Sequence, residues 1–201
     1  VDTTALGADA VTAAKIADNA ISEEHLDATV VTGLTALTSA PDDTDELLIS
    51  DAGTLKRIDV SLVGGKNTPS FSVTQGSAQD ISNATATKLA FNTEVFDTDS
   101  AFDHSSNYRF TVPSGKAGKY FFYAQATLQA TQDADANSII IYKNGSQFQT
   151  TMNTNQYYDT SEISIVMDLS AGDYIEIYYE HNRGTTDDVG GGRWYGFKLI
   201  T

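Results

Sequence analysis

The chain has no cysteine among its 201 residues, so neither a disulfide nor thiol chemistry is open to it. Stability must come from side-chain packing, from oligomerisation or from ions. Lysine and arginine total only 12 against 27 acidic residues, a formal charge of -15. That shortage of cations argues against a nucleic-acid binder, which needs clustered Lys and Arg on phosphates. The acid excess is shared along the chain: 12 acids and 4 bases stand before position 67, and 15 and 8 after it. Such a charge favours solubility and says little about fold. No apolar run approaches the length of a membrane span, so membrane insertion is not expected. No secretory leader pattern is visible from Val1 onward. What is plentiful is Tyr and Phe, ten and nine residues, beside many Thr and Ser, a composition that favours strands over helices.

Residues 1–32 read as a repeat. Apolar residues recur at Leu6, Val11, Ile16, Ile21, Leu26 and Val31, five apart every time. On an α-helix a step of five scatters these side chains around the axis, and on a strand it switches face each time. The spacing predicts extended pieces alternating with single helical turns. Thr12 and Ser22 are placed to cap such turns, with Glu23 and Glu24 near the positive helix end. One copy cannot bury these apolar residues against itself. Each would contribute about 1.5–3 kcal/mol only if neighbouring chains covered it, as three copies around one axis would. The segment Ala10 to Asp27 also resembles the short repeats of bacteriophage tail-fibre proteins.

Residues 33–66 read as a connector. Pro41 to Asp45 is an acidic turn. Glu46 to Ser50 reads as a strand, Asp51-Ala52-Gly53 as a three-residue turn, and Thr54 to Val60 as the return strand. A lone hairpin is marginal in water, so it should pack on the head or on symmetry mates. The stretch from Leu34 to Gly65 resembles connectors of phage fibre proteins.

Residues 67–201 read as an all-β head. Strand patterns occur at Phe71 to Val73, Leu89 to Phe91, Tyr108 to Val112, Gly118 to Leu128 and Ile139 to Lys143. Asn144-Gly145 is a hairpin signal. Further strands follow at Ser161 to Leu169, Tyr174 to Tyr179 and Arg193 to Ile200. Eight or more short strands with regular turns predict a sandwich or jelly roll.

Four landmarks then occur in order. Gly118-Lys119-Tyr120-Phe121-Phe122 looks like the Gly-x-Tyr-x-Phe strand of the complement globular-head and tumour-necrosis-factor superfamily. Lys143-Asn144-Gly145 resembles its Lys-Asn-Gly hairpin, Leu169 to Asp173 its Leu-x-x-Gly-Asp turn, and Trp194 to Phe197 its closing aromatic-x-Gly-Phe strand. Ala124 stands where an aromatic is usual, and Lys198 interrupts the closing apolar run. The resemblance implies a ten-strand jelly roll that assembles as a homotrimer, with aromatics lining the three-fold contact. Tyr120, Phe122, Trp194 and Phe197 are then candidates for that contact or for the core of each subunit, and both roles stay open.

No catalytic constellation emerges. His25, His104 and His181 stand in no metal-ligand spacing and read as surface histidines. There is no nucleophile elbow and no phosphate loop, and Gly190-Gly191-Gly192 reads as a mobile loop ahead of a strand. No cofactor is expected. A structural Ca²⁺ at Asp97 to Asp103, or at Asp42, Asp43, Asp45 and Glu46, is weighed against a solvated turn, and the turn is favoured. Two loops are suited to a receptor, one through Asn155, Tyr157 and Tyr158, the other through Arg183, Asp187 and Asp188.

The sequence therefore predicts a mainly β, non-enzymatic homotrimer: a repetitive shaft, a hairpin connector and a jelly-roll head. The expected location is a virion, as a tail or head fibre. The N-terminal segment would bind other virion proteins, and the head a host-surface glycan or protein. Rival readings are a capsid or tail decoration fibre without receptor binding, a bacterial secreted adhesin, and a glycan-cleaving tailspike.

Overall fold

A computed structural model describes residues 10–17, 20–21, 25–39, 41–42, 44–64, 66–129, 136–154 and 160–199. Leu6, Asp43, Asn155, Tyr157 and Tyr158 lie outside the described residues. The chain divides into two compact units, Val1–Gly64 and Gly65–Thr201.

In the first unit, a 3-10 turn spans Ala13–Lys15 and a single helical turn, α1, spans Thr29–Thr32. Thr12 serves the first through its carbonyl, which accepts from Lys15 N at 2.8 Å. The cap of α1 comes from Asp27, whose Oδ1 accepts from Thr29 N at 2.8 Å. Val11, Ile16, Ile21, Leu26 and Val31 are all exposed, Val31 by 74%. The hairpin pairs β1 (Glu46–Asp51) with β2 (Thr54–Asp59) through a tight turn at Ala52 and Gly53, both at positive φ. The turn is two residues, not three, because Asp51 and Thr54 close the ladder. Leu37, Pro41 and Val63 approach one face of the ribbon around Leu47 and line an open hollow of about 480 Å³. The opposite face leaves Leu48 and Leu55 more than 70% exposed.

The second unit is a sandwich of two six-stranded antiparallel sheets. One sheet orders β12 (Thr160–Leu169), β9 (Gly118–Leu128), β14 (Asp187–Lys198), β3 (Ser70–Thr74) and β6 (Thr93–Asp97), with β4 (Gln79–Ile81) paired to β14. The other orders β11 (Ser146–Asn153), β10 (Asn137–Lys143), β13 (Tyr174–His181), β8 (Arg109–Thr111) and β7 (Phe102–Asp103), with β5 (Thr87–Lys88) paired to β13. Neighbours such as β3 beside β14 and β8 beside β13 are distant in sequence, which is jelly-roll connectivity.

Alternation builds the core. On β9, Tyr120, Phe122, Ala124, Ala126 and Leu128 point inward and are fully buried. Ile163, Met167 and Leu169 do so from β12, and Ile175, Ile177 and Tyr179 from β13. Trp194 stands at the centre, edge-on to Phe71, Phe91 and Phe102 at centroid distances of 5.3, 5.6 and 5.0 Å. Ala124 lies directly across the ladder from Trp194. A second aromatic there would meet the indole, so the small residue is what lets Trp194 occupy the interior.

Three expectations are corrected. Leu89 to Phe91 is not a strand, although Leu89 and Phe91 are fully buried. Gly190-Gly191-Gly192 is not a loop ahead of β14 but part of it, at a register shift between Gly190 and Arg193. The glycines are needed there because a Cβ on Gly192 would overlap the Gln75 side chain, and one on Gly190 would meet Gln129 and Ala78. His181 is not a surface histidine. It continues the inward face of β13, is 1% exposed, and its Nε2 lies 2.9 Å from the Ile81 carbonyl oxygen.

Candidate functional site

The second face of the β9–β14 ladder is where the head differs from a closed core. Residues that alternate with the buried ones point outward: Phe121 and Tyr123 from β9, Tyr195 and Phe197 from β14. The register sets Phe121 opposite Phe197 and Tyr123 opposite Tyr195. Both pairs are in ring contact, at centroid distances of 5.4 and 4.9 Å. Val166 lies opposite Phe121, and Phe96 aligns with Tyr195 through Ser72. Val166, Phe96 and Tyr195 are 56%, 47% and 38% exposed. The next row is polar: Glu162, Gln125 and Arg193 are aligned across the same three strands. The Tyr123 hydroxyl lies 2.8 Å from both Gln125 Oε1 and Glu162 Oε2. Burial, then the hydrogen bond to Glu162, pushes the Tyr123 phenol up to about 12.

This geometry separates the aromatic candidates. Tyr120, Phe122 and Trp194 are 0–1% exposed within one chain and belong to its core. They do not line a contact between subunits, because their side chains face the opposite sheet. Phe197 is half-buried on the outer face. Phe121, Tyr123 and Tyr195 share that face and are not among the sequence candidates. Period-two alternation within Lys119 to Gln125 was the signal that could have found them.

In the second candidate loop, Arg183 and Asp187 are engaged with each other, with Nη1 to Oδ1 at 2.6 Å and side chains 7% and 16% exposed. Strand β14 already begins at Asp187, so this segment is less adaptable than its composition implies. Asp188 is exposed beside Asp80, its cross-strand partner. A hydrogen bond to Asp80, with burial and charge repulsion, raises its pKa.

The acids from Asp97 to Asp103 serve the turn itself. Asp97 Oδ2 accepts from Phe102 N at 2.7 Å. Asp103 accepts from the backbone N–H groups of Ser105, Ser106 and Asn107 and from the Asn107 amide. The Ser106 bond, then the Asn107 side chain, hold its carboxyl well below the usual range. Among the described residues no three His, Asp or Glu side chains come together as a metal cage, and no helix is long and apolar enough to cross a membrane. His104 Nδ1 lies 3.2 Å from Glu94 Oε2 at the surface.

The sequence matches no known family description and no curated protein. Solved structures do resemble the fold. The PRD1 vertex protein P5 aligns with a TM-score of 0.54 at 13% identity, covering 67% of this chain and 99% of that one. Murine APRIL at pH 5.0 aligns at 0.51 and 13%, covering 65% and 98%. The globular domain of the zebrafish complement 1qA protein aligns at 0.50 and 17%, covering 66% and 98%. The head is a jelly roll of the complement-globular-head and tumour-necrosis-factor type.

Proposed function

We propose that the protein is a homotrimeric structural fibre of a virion, whose jelly-roll head attaches the particle to a host surface. The observation that carries this reading is the outer face of the β9–β14 ladder. Two aromatic pairs, with Tyr195 exposed and Phe121, Tyr123 and Phe197 half-buried, lie beside the exposed Val166 and Phe96 on the face opposite the core. Clustered apolar surface of this kind marks an interaction site. A second and third copy of the chain are the proposed occupants, since the same face also presents Arg193 and Glu162, opposite charges that self-association can pair. The exposed Val11, Ile16, Ile21, Leu26 and Val31, and the uncovered Leu48 and Leu55, need cover in the first unit as well. Three heads on one shaft would bind by avidity. No enzymatic role is assigned.

One neighbour in fold is named a vertex protein, the PRD1 vertex protein P5, and that name supports a second reading, a capsid-borne fibre.

Sedimentation equilibrium tests the assembly. The expected mass is about 65 kDa, three times the 21.6 kDa chain. A folded monomer would refute the proposal. Competition by the purified protein against particle adsorption separates attachment from decoration.

A further inference from the structure

A cleft of about 320 Å³ opens at the β7 edge of the second sheet, away from the aromatic face. Asp103 of β7 lies directly opposite Arg109 of β8. The loop carrying Asp99 and Ser100 closes one side, and Pro113 gives an apolar wall. The volume falls at the small end of ligand sites.

The walls are set in advance. The Arg109 guanidinium lies over the Tyr174 ring at 4.4 Å, which fixes it without using its N–H donors. Among the described residues no oxygen accepts from it. Asp103 is locked by the turn N–H groups described above, and Asp99 Oδ1 is 3.2 Å from Lys116 Nζ. The Asp99 carboxylate still has lone-pair capacity, whereas the Asp103 oxygens are filled by Ser105, Ser106 and Asn107.

The lining selects by exclusion. The two carboxylates stand against two cations, Arg109 and the Lys116 paired with Asp99, so the site has no net charge with which to draw a free anion. The guanidinium disfavours a bare cation. The polar rim disfavours a purely apolar ligand. A neutral, polyhydroxylated ligand fits: its hydroxyls accept from Arg109 and donate to Asp99, and its C–H face meets Pro113. The geometry points to a binding site for one neutral sugar unit of a glycan in the cleft between Asp99, Asp103, Arg109 and Pro113. This names a receptor class and rests on the attachment reading for its biological sense.

The test uses the full chain and saturation-transfer NMR with the methyl glycosides of glucose, galactose, mannose and N-acetylglucosamine. At least one should receive magnetisation on its ring protons. Arg109→Ala should weaken its binding by about tenfold, the loss of a charged hydrogen bond. Thr111→Gln, which crowds the cleft from β8, should also weaken it, and serves if Arg109→Ala unfolds. No transfer to any glycoside, or binding indifferent to both substitutions, would overturn the site. If the protein still blocks adsorption while no glycoside binds, attachment survives and the sugar site does not.

Discussion

Gly196→Ala offers a stringent check on the β9–β14 ladder. Gly196 faces inward and lies opposite Phe122. A Cβ built there stands 2.5 Å from Phe122 Cδ1 and 2.9 Å from the Phe121 carbonyl oxygen. The first neighbour is a ring held between Phe71 and Phe110, and the second is backbone of a paired strand, so neither can give way cheaply. Overpacking of this kind costs about 1–3 kcal/mol. For a chain of this size that is a fall in Tm of roughly 3–10 °C. The assay is thermal unfolding at fixed protomer concentration, because any oligomer makes Tm concentration-dependent. Phe122→Ala alone should cost about 3–5 kcal/mol by leaving a cavity. The double variant should cost less than the two added together, since removing the ring relieves half the clash. Strict additivity, or no loss on Gly196→Ala, would refute the register on which the inner and outer faces are assigned.

Other outcomes follow from the same coordinates. Trp194→Ala should cost about 3–5 kcal/mol and unfold the head by circular dichroism, whereas Tyr195→Asp, one residue on, should leave the subunit folded and abolish the 65 kDa species. Asp173 is held at about 2, first by the Asn144 amide, then by Lys143 and Ser170 N–H, against an ordinary 3.8. Its folded pKa is depressed, so its contribution is present above about pH 4 and is lost as pH falls toward 2. A Tm–pH series should therefore decline less steeply over that window in Asp173→Asn. Asp188 has the opposite sign: its raised pKa makes the folded state bind a proton more tightly than the unfolded chain does. Stability declines as pH rises through the aspartate range, so Asp188→Asn should raise Tm at neutral pH and leave it unchanged in strong acid.

Much of the head was legible because its strands are long and alternate. Gly118 to Leu128 was read with the bounds it has, and Asn144-Gly145 turns with both residues at positive φ. Strand β6 was missed because Thr93 to Asp97 carries neither clean alternation nor an inward apolar residue; four of its five residues are exposed. The strand start at Asp187 was hidden by three glycines that normally signal a loop. Here they relieve close approach at a bulge, a demand set by Gln75, Ala78 and Gln129 far away in sequence. The cleft beside Arg109 was illegible for the same reason. It joins the Asp99 loop to β8 and to Tyr174, and only the tertiary fold brings these together.

The ladder also explains why aromatic composition alone could not divide core from contact. Inside, large residues stand opposite small ones: Trp194 over Ala124, and Phe122 over Gly196. The facing sheet limits the volume there, so two large rings cannot share one rung. Outside, large stands opposite large, Tyr195 with Tyr123 and Phe197 with Phe121. Among the described residues of the second unit no further layer constrains that face. The four rings, three half-buried and Tyr195 exposed, gain about 0.5–1.5 kcal/mol per pair from mutual stacking. Burial against another copy would add about 25 cal/mol for every Å² of apolar surface removed from water. The large-with-large pairing is what the proposed assembly would cover. Replacing Phe121 and Phe197 together by serine should raise solubility and lower assembly without moving the subunit's own unfolding.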